Sequence, residues 1–416
     1  MADNPLEHLP GVPCSVLLAL QVEARRQGGV RLALVGGAVR DALLHYNHRD
    51  PWRDLPDLDL VVEGSTETLA QGLRQRLGAE RVSELRVHGS FGTVEMVLDG
   101  VLLDLAQSRQ ERYLSPGDNP VVEPGPLGND LARRDFTVNA MALVLGVEDA
   151  EPALWDLHGG QDDLAARQLN FLHAGSVQDD PTRVVRGARY AARLGFELAP
   201  QALKQVQTTV AAWPWPWRQG DACDRVPPAL GTRLRMELAL LFGREPWQQA
   251  LGHLQAWGAL SLLDPSLQND RLLLRRMRRA ERLGVPLLFA LVAASASPLA
   301  LAQRLQLPLQ QQRWIEERMG FQSWLADQVL PCSWLDWSAA RWTEALESRS
   351  WSAEVVALEV ALMGPCWRPL LRWWGRWRHV QSPQTARDLI ATGLNPGPQL
   401  GEALRRLRLQ RLEAMR

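Results

Sequence analysis

The sequence predicts an α/β head followed by a wholly helical remainder, and three observations carry that expectation. Strand and helix signals alternate over residues 1–148. Beyond Leu154 the chain reads as helical to its end, broken by WPWPW at 213–217 and LNPGPQLG at 394–401. At 416 residues it is too long for one compact core, so two to four domains are expected.

The head opens on its most informative segment, LVGGAVRDALL at 34–44. Apolar residues 32–35 predict a strand, and Gly36-Gly37 lets backbone approach a ligand with no Cβ in the way. Residues 38–44 then start a helix whose free N–H groups suit phosphate oxygens, with Arg40 as a fixed cation. DLDL follows at 57–60. Period-2 geometry puts Asp57 and Asp59 on one strand face, spaced to share hard cations, which points to two-metal phosphoryl transfer. Asp54 is a competing carboxylate, but Asp57 has Asp59 at the right spacing and an apolar continuation. Further strands are expected at 58–62, 93–98 and 101–105, and Asp104 on the last is a candidate third carboxylate. Residues 113–129 hold four prolines and three glycines and predict a mobile loop.

Net charge is −1, and Lys204 is the only lysine, so arginine carries nearly all the positive charge. Arginine suits bidentate phosphate and base contacts. From residue 371 onward nine Arg face Asp388, Glu402 and Glu413, a local +6 that favours a phosphate backbone. Fifteen of seventeen tryptophans lie after residue 210, where most are expected to pack helix on helix. Cysteines 14, 223, 332 and 366 show no metal or redox spacing, and the N-terminus shows no secretory pattern, so a cytoplasmic protein is expected. The uncharged stretch 283–302 is broken by Pro286 and Ser297-Pro298, which read as helix punctuation, so no membrane span is expected.

Two more strings, RRDFTVNAMAL at 133–143 and DDPTRVVRGARYAARLGF at 179–196, complete a pattern. With the first two they make the chain resemble the class II tRNA nucleotidyltransferases, the bacterial CCA-adding enzymes and poly(A) polymerases. The resemblance covers most of the first 200 residues and returns at 388–404. It implies an α/β nucleotidyltransferase, palm-like head (1–148), then all-α neck (149–245), body (246–370) and basic tail (371–416).

The resemblance gives Asp57 and Asp59 the catalytic, Mg²⁺-holding role, with two ions. Nucleotide binding would fall to Gly36, Gly37, Arg40, Asp41, Arg133, Arg134, Asp135 and Asn139. It casts Asp180 and Arg183 as a protein template: an acceptor beside a donor complements the exocyclic amine and ring nitrogen shared by cytosine and adenine. Asp180 also reads as an N-cap before Pro181. Arg183, Arg186 and Arg189 recur every three residues, and the last two would orient the pair or touch phosphate. WDLHGGQDDL at 155–164 resembles the hinge-like motif, where Gly159 and Gly160 would absorb rotation or form an ordinary turn. GTRLRMEL at 231–238 keeps Arg233 of a later motif, with Thr232 where the family usually has Glu.

The implied activity is template-independent addition of the 3′-terminal CCA of tRNA from CTP and ATP, with no DNA partner. The rivals are CC-only, A-only or poly(A) addition, an inactive tRNA-binding protein, and a small-molecule nucleotidyltransferase. The long loop after Asp104 argues against CC-only addition, because CC-only relatives tend to have lost part of it. Intact Asp57 and Asp59 argue against an inactive protein.

Overall fold

The structure is a computed structural model describing residues 11–28, 30–52, 58–88, 92–145 and 152–415. It divides into two compact units. The first holds the chain up to Gln219 with Arg225–Glu237 and Arg244–Ala259; the second holds Gly220–Asp224, Leu238–Gly243 and Leu260–Arg416.

In chain order the first unit begins α1 (Cys14–Arg26), β1 (Leu32–Val35), α2 (Gly37–His48), β2 (Leu58–Val62), α3 (Thr66–Leu77), β3 (Val82–His88), β4 (Thr93–Leu98) and β5 (Val101–Gln107). It continues with β6 (Arg109–Arg112), β7 (Val121–Pro124), α4 (Leu127–Ala132), β8 (Met141–Val144) and β9 (Ala153–Asp156). The four expected strands are present. Seven strands form one mixed sheet in the order β3-β4-β5-β2-β1-β8-β9. Its one parallel pair, β2 with β5, is joined through α3, β3 and β4.

Alternation sorts the two faces of this sheet. Ala33, Val35, Val61, Ala142 and Val144 pack under Leu127 and Leu131 of α4. The residues between them turn to the opposite side. Asp59 has the parity of Val61, and it is the exposed position in an otherwise buried β2. The pattern therefore places this carboxylate on the face that α4 covers, just beyond the apolar cover.

The Pro/Gly-rich segment expected as a mobile loop is regular in part. Val121–Pro124 pairs antiparallel with Arg109–Arg112, and α4 starts directly after Pro126. Proline is tolerated there because Pro124 ends its strand and Pro126 precedes the helix. Helices dominate after residue 156, but a short parallel pair, β10 (Gln168–Leu169) with β11 (Glu197–Leu198), interrupts the expected all-helical texture. The helices of this stretch are α5 (Gly160–Ala165), α6 (Ser176–Asp179), α7 (Thr182–Leu194), α8 (Pro200–Ala212), α9 (Thr232–Arg244) and α10 (Trp247–Ala256).

The second unit is helical: α11 (Pro265–Gln268), α12 (Leu273–Arg282), α13 (Leu287–Ala293), α14 (Pro298–Arg304), α15 (Leu309–Trp324), α16 (Ala339–Glu347), α17 (Ala353–Ala361), α18 (Trp367–Gly375), α19 (Ala386–Ala391) and α20 (Pro398–Glu413). Ser297 is the N-cap and Pro298 the first residue of α14, as the sequence predicts. Trp324, Trp342, Trp373 and Trp377 are buried in one core with Phe321 and Leu412. The tryptophans there pack as expected. Among the described residues no helix is long and apolar enough to cross a membrane.

Candidate active site

A cavity of about 470 Å³ in the first unit gathers most of the residues singled out by sequence. Gly36, Gly37, Arg40, Asp41, Asp59, Arg133, Arg134, Asp135, Asn139, Asp180, Arg183, Arg186 and Arg233 all line it. Asp57 lies outside the described residues, as does Asp54.

At one end, Gly36 adopts φ +72° between β1 and α2, a conformation that favours glycine. A Cβ there would stand 3.4 Å from both Asp59 Oδ2 and Arg134 Nη1, so the turn brings backbone, carboxylate and guanidinium together. Asp104 is the register partner of Asp59 on β5, and Glu95 is that of Asp104 on β4. Three carboxylates thus form one row on one sheet face. An adjoining cavity of about 410 Å³ is lined by all three together with Arg133 and Arg134. Asp130, fully buried, fixes both arginines: its Oδ1 accepts from Arg133 at 2.7 Å and its Oδ2 from Arg134 at 3.0 Å. Arg133 also reaches Glu111 at 3.0 Å.

The floor is a chain of paired charges. Arg40, 4% exposed, donates to its neighbour Asp41 and to Asn139 Oδ1 at 2.7 Å. Asn139 donates to Asp135 Oδ1, and Arg186 donates to Asp135 Oδ2 at 2.8 Å. Burial works against the Asp135 charge, but Arg186 and Asn139 outweigh it and hold the carboxyl below its ordinary 3.8.

The other end carries the base-reading candidates. Asp180 Oδ1 accepts from the Thr182 N–H at 3.0 Å at the start of α7, whose N-cap position falls on Pro181 rather than on Asp180 as expected. Its second oxygen, Oδ2, pairs with Arg233 and faces the same cavity. Buried Arg183 donates to the Arg133 carbonyl at 2.9 Å, with His173 Nε2 3.4 Å away. Burial, followed by the charge of Arg183, keeps His173 below its ordinary 6.5.

The structure does not bring Arg189 to this cavity. At about 100° per residue, Arg183, Arg186, Tyr190 and Arg193 fall within roughly 80° of one another on α7, whereas Arg189 is turned about 120° from Arg183. It pairs instead with Glu237 and Glu245. A strict three-residue repeat drifts off one helical face. The hinge-like motif is a tight turn in which Asp156 accepts from the Gly160 and Gln161 N–H groups, and a Cβ on Gly160 would meet the Thr137 carbonyl at 2.5 Å.

The sequence profile of the Poly A polymerase head domain matches residues 32–170. A CC-adding tRNA nucleotidyltransferase of Deinococcus radiodurans is 35% identical over 389 residues, which cover 92% of this chain and 86% of that protein. The chain belongs to the tRNA nucleotidyltransferases. An A-adding tRNA nucleotidyltransferase of Aquifex aeolicus is 39% identical over 183 residues, 44% of this chain and 20% of that longer protein. The apo form II structure of a CCA-adding enzyme shares the fold, with TM-score 0.71 and 22% identity over 97% of this chain and 94% of that one.

Sequence reasoning about this nucleotidyltransferase missed Arg109, Glu111, Tyr113, Tyr190 and Arg193, all of which line the cavity. A signal was available for each. Arg109, Glu111 and Tyr113 are spaced by two at the strand period, and Tyr190 and Arg193 continue the Arg183–Arg186 face. Burial first, then the charge of Asp180, raises the Tyr113 phenol above its ordinary 10. Glu237, one turn after Arg233 on α9, was also missed; it supports Arg186 and Arg189.

Proposed function

We propose that this enzyme builds or repairs the 3′-terminal CCA of tRNA from CTP and ATP, one nucleotide at a time and without a nucleic-acid template. One observation carries the reading. A single cavity joins Asp59 and the Arg40 and Arg134 cations to the Asp180, Arg183 and Arg233 cluster, so triphosphate and base chemistries lie within one cleft.

Arg134 and Arg40 bind the triphosphate, and Gly36 lets backbone approach its oxygens. Asp57 and Asp59 would hold two Mg²⁺ ions, with Asp104 as a supporting carboxylate. Hard oxygen donors in register on neighbouring strands fit such an ion, although among the described residues no three ligand side chains converge on one point. When bound, the ions lower the pKa of the attacking RNA 3′-hydroxyl and offset charge on the phosphates. Asp180 Oδ2 accepts from the exocyclic amine of cytosine or adenine, and Arg183 donates to the ring nitrogen. Uracil and guanine would set a carbonyl against that carboxylate. Asp135 and Asn139 keep Arg40 and Arg186 in place.

A relative that spans most of the chain, named for CC addition, favours a second reading, addition of CC alone. Purified protein incubated with tRNAs ending before CCA, after C and after CC, with CTP, ATP or both, separates the two. Full CCA addition predicts that all three substrates are completed. Failure of the CC-ended tRNA to accept AMP selects CC-only addition, and failure of all three overturns the nucleotidyltransferase assignment of the site.

A further inference from the structure

Four segments meet around Gly117, in the turn between β6 and β7. Its N–H donates to the Asp179 carbonyl at 3.1 Å, and its own carbonyl accepts from the Ala229 N–H at 3.0 Å. Its φ is +77°, and a Cβ there would stand 2.9 Å from Trp215 Cδ1 and 3.2 Å from Pro227 Cβ. Trp215 is the central residue of the WPWPW string, for which the catalytic reading has no use. It is 3% exposed, donates its indole N–H to the Gln178 carbonyl at 3.0 Å and meets Trp213 edge-on at 5.1 Å. Trp213 in turn donates to the Trp217 carbonyl at 2.6 Å, closing the corner.

These contacts pin the two carbonyls just ahead of Asp180: Trp215 holds that of Gln178 and Gly117 that of Asp179. The turn reaches the same carboxylate from the other side through Arg233, which donates to the Asp118 carbonyl at 3.4 Å and to Asp180 Oδ2.

We propose that Trp215, seated on Gly117, is a positioning residue that holds the Asp180–Arg233 pair in place and so sets how strictly cytosine is separated from uracil. The proposal rests on Asp180 and Arg183 being the base-reading pair. Discrimination of this kind comes from repulsion: uracil is refused because its carbonyl meets a carboxylate that cannot turn away. An Asp180 freed to rotate relieves that clash, and UTP is then accepted. Binding of the triphosphate, which lies at the other end of the cavity, is unaffected.

The test measures kcat and KM for CTP and UTP on tRNA ending before CCA, with thermal melting, for Asp180→Ala, Trp215→Ala, Trp215→Phe, Gly117→Ala and the remote Trp342→Ala. Trp215→Ala and Gly117→Ala should lower the CTP-over-UTP ratio of kcat/KM by about tenfold, mainly through a lower KM for UTP, the effect of losing one well-formed donor–acceptor match. Trp215→Phe keeps a ring on Gly117 but loses the bond to Gln178, so it should fall between these and wild type. Trp342→Ala should melt earlier with the ratio unchanged, which separates positioning from general stability. If Trp215→Ala fails to fold, Trp215→Phe and Gly117→Ala decide. A ratio unchanged in those two while Asp180→Ala lowers it overturns the clamp alone. A ratio unchanged in Asp180→Ala overturns the base-reading pair and the clamp with it.

Discussion

The first unit gathers buried charges around one cavity, and the second gathers four buried tryptophans into one core. In the first, Arg40, Asp135, Asp180 and Arg183 are each 4–6% exposed: Asn139 joins Arg40 to Asp135, Asp135 pairs with Arg186, Asp180 pairs with Arg233, and Arg183 donates to the Arg133 carbonyl. In the second, Trp324, Trp342, Trp373 and Trp377 share one core, and half-buried Arg318 pairs with buried Glu359 at 3.0 Å. Burying a charge costs several kcal/mol unless it is paired and hydrogen-bonded, whereas burying an indole is favourable on area alone. A fold accepts the first cost where a charged ligand must be bound in a fixed pose. The tryptophan core needs only to hold its shape and present arginine outward.

The largest effect should come from breaking the first kind of interior at its reacting edge. Asp57→Ala and Asp59→Ala should each cost about 5 kcal/mol of transition-state stabilisation, a loss near 10⁴-fold in turnover, because the hard-oxygen donors for the metal go. Asp59 is an exposed strand residue, so melting should barely move. tRNA affinity should also hold. Single-turnover incorporation and filter binding check both, and turnover within tenfold of wild type in either variant would sink the carboxylate assignment.

The complementary break should weaken binding and spare chemistry. The +6 count after residue 371 overstates the free charge, since Arg408 pairs with Glu347 and Arg405 with Glu344. Nor is this segment a detachable tail, because Trp373, Trp377 and Leu412 belong to the tryptophan core. Truncation would unfold what it is meant to probe. Replacing the exposed Arg372, Arg376 and Arg406 by Gln leaves that core intact. If these residues meet tRNA phosphates, the slope of log affinity against log salt should flatten by about 0.7–0.9 per lost contact, with kcat at saturating tRNA unchanged. An unchanged slope would place the RNA surface elsewhere.

The same contrast decides what sequence could reveal. The turn at Gly36-Gly37 was legible because glycine, arginine and carboxylate stand there at strand and helix spacing, and β1, β2, β4 and β5 followed from apolar runs. The partners of the buried charges were not. Glu237 sits 51 residues after Arg186, and only the folded chain shows that they meet at 3.7 Å. Nor could alternation show that Val121–Pro124 pairs with Arg109–Arg112, because a strand dense in proline and charge lacks the apolar signal. The WPWPW string was visible as a break in helix, but its target, a glycine nearly a hundred residues upstream, was not. Local rules mark the groups that must meet a ligand; long-range pairing decides which groups support them.

The smallest predicted effect lies at the half-exposed edge of the first unit's charged cluster, at His173. Its side chain is 42% exposed, and its Nε2 has Arg183 at 3.4 Å and Asp179 at 3.9 Å. Burial and Arg183 together outweigh Asp179 and lower its pKa below 6.5. The unfolded chain therefore binds the proton at a higher pH than the folded one. The folded state keeps its full stability above the ordinary value and loses some as pH falls through the lowered one. In the active site the same proton sets an imidazolium against the guanidinium proposed to read the base. Use of CTP should then fall on acidification more in wild type than in His173→Gln, which stays neutral at every pH. Because the pair is half-exposed, the interaction is worth under ~1 kcal/mol, so the difference should be about two- to fivefold between about pH 7.5 and pH 5. The comparison of kcat/KM profiles for the two proteins cancels titration of the nucleotide and the 3′-hydroxyl, which both share. Parallel profiles would show that His173 only packs beside Arg183.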